Sequence, residues 1–169
     1  MALKDVPSGS LEKFNVIIEI PQGSQDKYEY DEKLDVIKLD RVLFTSQRFP
    51  ANYGFVPQTL ADDGDPADVL LFSTNPLFPG AVVEARAIGF MNMSDSGETD
   101  NKIIAVPTED IRFADVKSLN DIPEHSSKEI KNFFETYKLL QNKEVVVGDF
   151  EDKEAAQAYL QKSIDRFEK

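Results

Sequence analysis

The sequence predicts an α+β fold that is mainly β: a small barrel of strands flanked by two α-helices. Up to about Pro107, short runs rich in β-branched and aromatic residues are separated by turn residues, at the spacing typical of a sandwich or barrel. After Pro107 the apolar residues recur at helical spacing. Strands that come first and helices that come last favour an α+β architecture. The length of 169 residues fits one domain, residues 1–169.

The strands before Pro107 are predicted from runs that alternate or stay apolar between turn residues. They are Phe14–Ile20, Lys27–Tyr30, Val36–Leu43, Val69–Phe72, Val82–Met93 and Lys102–Val106.

Beyond Pro107, Ser126 and Glu129 form a capping-box pattern that predicts the start of a helix. The apolar residues that follow at helical spacing are Ile130, Phe133, Phe134, Tyr137 and Leu140. Lys143–Val147 is predicted as one more strand. A C-terminal helix is predicted from the spacing of Ala155, Tyr159, Ser163 and Phe167.

The composition excludes several classes of function. Lys and Arg number 19 against 31 Asp and Glu, a formal net charge of −12, which repels nucleic-acid phosphates and anionic membrane surfaces. The absence of Cys excludes disulfides, zinc–thiolate sites, iron–sulfur clusters and thiol nucleophiles, and a single His excludes multi-His metal sites. With no signal-peptide pattern and no run of about 20 apolar residues, we predict a cytoplasmic protein that does not associate with membranes. Carboxylates, lysines, arginines and tyrosines remain for chemistry.

An acidic loop directly precedes an apolar strand. Its four carboxylates lie within seven positions, at Asp62, Asp63, Asp65 and Asp68. A solvated surface turn is one interpretation, and a metal site held stiff by Pro66 is the other. Converging carboxylates need a hard cation, and the spacing does not fit a calcium EF-hand. Mg²⁺ is therefore the favoured ion, with Mn²⁺ as a possible substitute.

A second acidic stretch, residues 95–102, lies between two predicted strands and is either a hairpin loop or a ligand loop. Asp100 and Lys102 share one face if the strand begins there, which suits a site that binds both a metal and an anion.

Four further basic or aromatic positions have structural interpretations. Arg41 is expected on the same face as Ile37, Leu39 and Leu43, where it needs an anionic partner unless it is an edge residue that reaches water. Lys27 and Glu29 share a strand face, where an ion pair is the default. Tyr137 lies on the apolar face of its helix and is expected in the core. His125 is expected at the surface or in an interface.

Nine ordered blocks between Phe14 and Lys138 make the chain resemble a known family. Residues 63–68 fit the pattern Asp-x-Asp-Pro-x-Asp. The other blocks are Ile18-Glu19-Ile20-Pro21, Lys27-Tyr28-Glu29, Leu39-Asp40-Arg41, Asn52-Tyr53-Gly54-Phe55, Phe78-Pro79-Gly80, Asp95 with Asp100 and Lys102, Ala105-Val106-Pro107, and Phe133-Phe134-Glu135-Thr136-Tyr137-Lys138. Together they resemble the soluble family I inorganic pyrophosphatases of the prokaryotic type.

The resemblance implies a five-stranded, OB-like closed barrel flanked by two helices, a homohexamer, and Mg²⁺-dependent hydrolysis of pyrophosphate to two phosphates. It implies that Asp63, Asp68 and Asp100 bind the activating metal and that Asp68 is shared with a second ion. Asp95 joins Asp100 in holding metal that arrives with the substrate, and Glu19 and Glu29 complete an acidic wall. Asp65 is implied as the general base toward the nucleophilic water. The implied contacts to phosphate oxygens are Lys27, Arg41, Tyr53, Lys102, Tyr137 and Lys138.

Two positions depart from the family pattern. Ser96 stands where many members carry Glu, which weakens metal binding on the substrate side or shifts that role to Glu98. Phe49 stands where some bacterial members carry Tyr, so one hydroxyl near the site is lost. Neither change touches the aspartates of the acidic loop, and activity is expected to survive.

Two rival functions share the predicted fold. A non-catalytic protein that binds Mg²⁺ or Ca²⁺ would not need the phosphate-suited residues Lys27, Arg41, Lys102 and Lys138. An OB-fold nucleic-acid module would need a basic groove with exposed aromatic residues, whereas the net charge is −12.

Overall fold

The computed structural model describes residues 1–169, which form nine strands and two α-helices joined by turns and short 3₁₀ helices. The strands are β1 (Phe14–Ile20), β2 (Asp26–Asp31), β3 (Val36–Val42), β4 (Asn52–Val56), β5 (Ala67–Leu71), β6 (Val82–Asp95), β7 (Glu98–Thr99), β8 (Lys102–Pro107) and β9 (Val145–Glu151). The helices are α1 (Glu124–Thr136) and α2 (Lys153–Phe167).

Five strands close into a ring. β1 pairs with β4, β4 with β5, β5 with β8, β8 with β6, and β6 returns to β1. Only the β5–β8 pair is parallel. β7 and β9 both pair with the long strand β6, while β2 and β3 form a separate two-stranded hairpin. The predicted fold, a mainly β, five-stranded closed barrel with two helices, is confirmed. That residues 1–169 form one domain stays a prediction.

Alternating strand residues belong to two apolar cores, and one helix packs against each core. In β5, Val69 and Leu71 belong to the cluster that packs against Leu160 of α2, whereas Leu70 belongs to the cluster that packs against Phe134 of α1. Because successive strand side chains point to opposite faces, both faces of the sheet are apolar and each needs a covering layer. The need to cover both faces explains why α1 packs on one core and α2 on the other.

The strand β4 was not among the sequence predictions. It has only five residues, and Gly54 at its centre weakens any strand pattern. In the structure, a Cβ built on Gly54 lies 2.1 Å from the carbonyl oxygen of Ile17, so only glycine lets β4 approach β1 this closely.

The predicted capping box at the start of the first helix is wrong. The helix α1 begins at Glu124, with Pro123 as N-cap and no side-chain cap, so Ser126 and Glu129 lie inside the helix. The fixed φ of proline suits a helix start, which places the boundary earlier than the Ser–Glu pattern indicates.

The expected apolar face of β3 is not buried. Leu39 is 49% exposed, and Ile37 and Arg41 are half-buried, because the β2–β3 hairpin is not part of the main sheet. His125 is exposed, as expected. Neither α1 nor α2 combines the length and the apolar composition that crossing a membrane requires.

Candidate active site

A cavity of about 670 Å³ opens where the barrel, the β2–β3 hairpin, the acidic loop and the end of α1 meet. Polar and charged side chains dominate its wall. Of the predicted site residues, only Arg41 and Lys102 do not line it. Those that do are Glu19, Lys27, Glu29, Tyr53, Asp63, Asp65, Asp68, Asp95, Asp100, Tyr137 and Lys138. Residues far apart in the sequence are thus brought together as the resemblance implies.

Behind the cavity wall, the buried Lys102 pairs with two half-buried aspartates that line the cavity, Asp68 and Asp100. The parallel register of β5 and β8 sets Asp68 opposite Lys102. The Lys102 Nζ donates to Asp68 Oδ2 at 2.8 Å, to Asp100 Oδ1 at 2.7 Å and to the Tyr53 hydroxyl oxygen at 2.9 Å. Burial raises the pKa of Asp68, and the ammonium offsets only part of that effect. Burial opposes the charge on Lys102, but the two carboxylates outweigh it and raise its pKa.

Two other acids of the wall also carry raised pKa values. Glu19 is buried in β1, and burial raises its pKa to about 8, although its Oε1 accepts a hydrogen bond from the backbone N–H of Tyr30 at 2.8 Å. Burial likewise raises the pKa of Asp63. The cavity is lined by nine Asp and Glu residues but only three lysines, so its wall carries more acidic groups than its own cations balance.

The β2–β3 hairpin presents two cations side by side. Its register sets Lys27 opposite Arg41. Asp40 joins them, because its Oδ2 accepts from Lys27 Nζ at 3.2 Å and from Arg41 Nη1 at 2.5 Å. Lys27 also contacts Glu29, the expected ion pair. The Arg41 Nε is buried without an acceptor, a donor that an anion could satisfy.

The second acidic stretch is both a hairpin and part of the cavity wall. Ser96 and Gly97, which join β6 to β7, have φ of 52° and 84°, the positive values that a two-residue turn requires. Asp95 contacts Lys138 and accepts a hydrogen bond from Ser96 Oγ at 3.1 Å. Burial opposes ionisation of Asp95, but the hydrogen bonds from Lys138 and Ser96 and the positive charge of the nearby lysines together outweigh it and lower the pKa. Ser96 therefore supports Asp95, and Glu98 also lines the cavity.

Asp65 differs from the other acids because no hydrogen bond or ion pair within the chain engages its carboxylate. Its backbone N–H donates to Asp63 Oδ1 at 3.0 Å, and its carbonyl accepts from the N–H of Ala61 at 2.7 Å. The backbone is therefore fixed on both sides while the exposed carboxylate faces the cavity.

Tyr137 belongs to the core and to the cavity wall at once. It follows the last residue of α1, is buried, and stacks on Phe133 with ring centroids 5.0 Å apart. Burial raises its pKa, so the hydroxyl remains a proton donor. Phe49 packs edge-on against Tyr53 and 4.8 Å from Phe133, outside the cavity wall.

The residues of this site fit a hard divalent cation in donor type. The available donors are carboxylate oxygens, the ligands that Mg²⁺ and Mn²⁺ prefer. In this conformation no three carboxylates lie close enough to form a ready metal cluster. Lys102 stands between Asp68 and Asp100 and takes up an oxygen of each.

Two residues important for the geometry were missed at the sequence level. The sequence analysis assigns no role to Asp40, although an acid directly before a strand arginine is a signal for an ion pair. Lys143 also lines the cavity, and no local pattern marks it because its position depends on the packing of β9 on β6.

Comparison with known proteins agrees with this geometry. The family model described as inorganic pyrophosphatase matches residues 16–168. An inorganic pyrophosphatase from Halalkalibacterium halodurans is 56% identical over 150 residues, 89% of this chain and 92% of that protein. Soluble inorganic pyrophosphatase 1 of Arabidopsis thaliana is 46% identical over 163 residues, 96% of this chain and 77% of that protein. The crystal structure of inorganic pyrophosphatase from Thermus thermophilus matches with a TM-score of 0.96 and 45% identity over 100% of both chains.

Proposed function

Because the chain belongs to the soluble family I inorganic pyrophosphatases, hydrolases that split pyrophosphate, we propose that it does so with Mg²⁺ and through the residues of the cavity described above. The resemblance seen in the ordered sequence blocks is thereby confirmed. The observation that supports the finer proposal is one cavity in which unpaired negative charge faces lysines and tyrosines. Phosphoryl transfer depends mainly on positioning and on neutralising charge, and this wall offers both.

The acids of the wall are proposed to hold metal. Asp63, Asp68 and Asp100 hold the activating ion, and Asp68 is shared with a second one. Asp95 and Asp100 hold the ion that arrives with the substrate, while Glu19 and Glu29 complete the wall. When bound, Mg²⁺ supplies positive charge against the substrate oxygens and lowers the pKa of water. Mn²⁺ is the proposed substitute because it prefers the same oxygen ligands.

The cations and tyrosines are proposed to bind the two phosphoryl groups. Lys27 and Arg41 approach from the hairpin, and the buried Arg41 Nε has an unused N–H for a phosphate oxygen. Lys138 and Tyr137 approach from the end of α1, and Tyr53 and Lys102 from the barrel. Donors from three separate parts of the structure can together hold the two ends of one small, highly charged anion.

Asp65 is proposed as the general base. Its carboxylate is free of protein partners, and its backbone is fixed by Asp63 and Ala61. A base must accept a proton from water beside the substrate, and an oxygen already engaged by a lysine is less able to do so. Among the acids of the loop, Asp65 best meets that requirement.

We also propose a homohexamer and a cytoplasmic location, both from the family resemblance. Exposed apolar side chains such as Phe44, Phe78 and Leu140 support contacts between copies. Light scattering on the purified protein tests the hexamer, and a monomer at micromolar concentration would contradict it. Fractionation of the source cells tests the location.

The proposed activity is tested by phosphate release from pyrophosphate with MgCl₂. We expect release that stops with excess EDTA and returns when MgCl₂ is restored. Release that persists in EDTA would contradict the metal requirement, and no release at neutral or mildly alkaline pH would contradict the activity.

A further inference from the structure

We propose that Lys102 is a displaceable counter-ion: its ammonium neutralises Asp68 and Asp100 in the metal-free protein, and Mg²⁺ binding releases it toward Tyr53 and the substrate cavity. This inference rests on the proposed function, because it takes Asp68 and Asp100 as metal ligands. It gives one lysine two successive roles, first between the carboxylates and then at the phosphate.

The first step concerns the position that the ammonium occupies. Lys102 is 1% exposed, and its Nζ lies 2.8 Å from Asp68 Oδ2 and 2.7 Å from Asp100 Oδ1. The two oxygens are therefore at most 5.5 Å apart, the sum of these distances. Mg²⁺ binds oxygens at about 2.0–2.1 Å, so an ion shared by these two oxygens would lie in the space that the ammonium now fills.

The second step concerns charge. Two half-buried carboxylates face one ammonium, so the cluster keeps one uncompensated negative charge, whereas a divalent ion in place of the ammonium balances both carboxylates. Mg²⁺ next to an unmoved ammonium would be repelled across a short, poorly screened distance. Displacement of the ammonium by Mg²⁺ removes that repulsion. The position of Lys102 between two of the carboxylates also explains why no three carboxylates form a ready metal cluster in the metal-free protein.

The third step concerns where the ammonium goes. Lys102 Nζ also donates to the Tyr53 hydroxyl oxygen at 2.9 Å, and it lies 5.1 Å from the centre of the Tyr53 ring and 5.9 Å from that of Phe134. Tyr53 lines the cavity, whereas Lys102 does not. The buried stem keeps the side chain in place, so rotation of its last bonds moves only the ammonium, along the Tyr53 hydroxyl and toward the cavity.

The test compares Mg²⁺ binding by the wild type and by Lys102→Met, with MgCl₂ as the only ligand in isothermal titration calorimetry. Methionine keeps the length of the stem and removes the ammonium. We expect the Kd for Mg²⁺ to fall about tenfold, because the ion no longer has to break charge-assisted hydrogen bonds. The matched control is Lys128→Met, an exposed lysine of α1 paired with Glu124, which should leave the Kd unchanged.

A Kd that is unchanged or higher in folded Lys102→Met would overturn the proposal, because Lys102 would then support the carboxylates instead of competing for them. The variant can fail to fold without metal, since two half-buried carboxylates lose their buried partner. A crystal structure of the wild type with Mg²⁺ alone then decides. Displacement of Nζ beyond hydrogen-bond distance from both aspartates supports exchange, and an ion bound through Asp68 Oδ1 and Asp100 Oδ2 with Nζ unmoved overturns it.

These outcomes separate the exchange from the proposed activity. Normal pyrophosphate hydrolysis by the wild type together with an unchanged Kd in the variant overturns the exchange alone. Tighter Mg²⁺ binding in the variant, together with no hydrolysis by the wild type, supports the exchange and contradicts the activity.

Discussion

Replacing Asp65 by Asn is expected to remove the general base while leaving the cavity intact. The substitution exchanges one carboxylate oxygen for an amide group and keeps the shape of the side chain. The backbone contacts of residue 65 with Asp63 and Ala61 do not involve the side chain that changes. The variant therefore isolates the chemistry of one carboxylate.

The magnitude follows from what the carboxylate touches. A positioned general base contributes a factor of about 10²–10⁴ to the rate, which corresponds to about 2.7–5.4 kcal/mol of activation free energy. Because the exposed Asp65 carboxylate makes no hydrogen bond or ion pair within the chain, the free energy of unfolding should change by no more than about 0.5 kcal/mol. We therefore expect kcat to fall by about 10²–10⁴ while stability stays near that of the wild type.

The assay is phosphate release at saturating pyrophosphate and MgCl₂, with thermal unfolding measured on the same samples. Asp62→Asn is the matched control, because Asp62 lies in the same loop, pairs with Arg166 at the surface and does not line the cavity. Its kcat should stay within about twofold of wild type, as expected for loss of an exposed ion pair. Wild-type turnover by Asp65→Asn, or an equal loss in the control, would refute the assignment.

Three further changes probe the fold and the hairpin. Gly54→Ala should lower the free energy of unfolding by about 3 kcal/mol or more, since the new methyl meets a carbonyl of β1 at 2.1 Å; urea unfolding measures it, and wild-type stability would contradict it. Asp40→Ala should raise the KM for pyrophosphate about tenfold with a smaller change in kcat, because Lys27 and Arg41 lose the acceptor they share; an unchanged KM would mean that they are positioned without it. Backbone N–H groups lower the pKa of Asp121, so its carboxylate stabilises the fold above the ordinary pKa of 3.8 and loses that effect as the pH falls through its folded value. Asp121→Asn should therefore lower Tm at neutral pH, and a gap from wild type that does not shrink in acid would contradict this.

The fold was largely predictable because its strongest signals are local. Runs such as Phe14–Ile20 and Val82–Met93 gave strands that the structure has, and the helical spacing around Phe133 gave α1. The strand that was not predicted also has a local explanation. Gly54 lowers the strand propensity of β4, and the need for glycine there, a close approach to the backbone of β1, is visible only in the folded structure. Closure of the ring was implied by the family resemblance, because pairing between distant strands leaves no mark in any one segment.

The site was predictable as a set of residues but not as a set of contacts. The ordered blocks supplied 14 of the 20 residues that line the cavity. The contact between Lys102 and Asp68 depends on the register of the parallel strands β5 and β8, and the sequence of neither strand indicates that register. Similarly, Arg41 was expected to share an apolar strand face, whereas its partner is the adjacent Asp40 on an exposed hairpin.

The most direct test of the central claim is a crystal structure of the protein grown with MgCl₂ and phosphate. The account predicts Mg²⁺ within about 2.1 Å of carboxylate oxygens of Asp63, Asp68 and Asp100, and phosphate bound to Lys27 and Lys138 across the same cavity. Metal bound away from these aspartates, or phosphate bound outside the cavity, would contradict it.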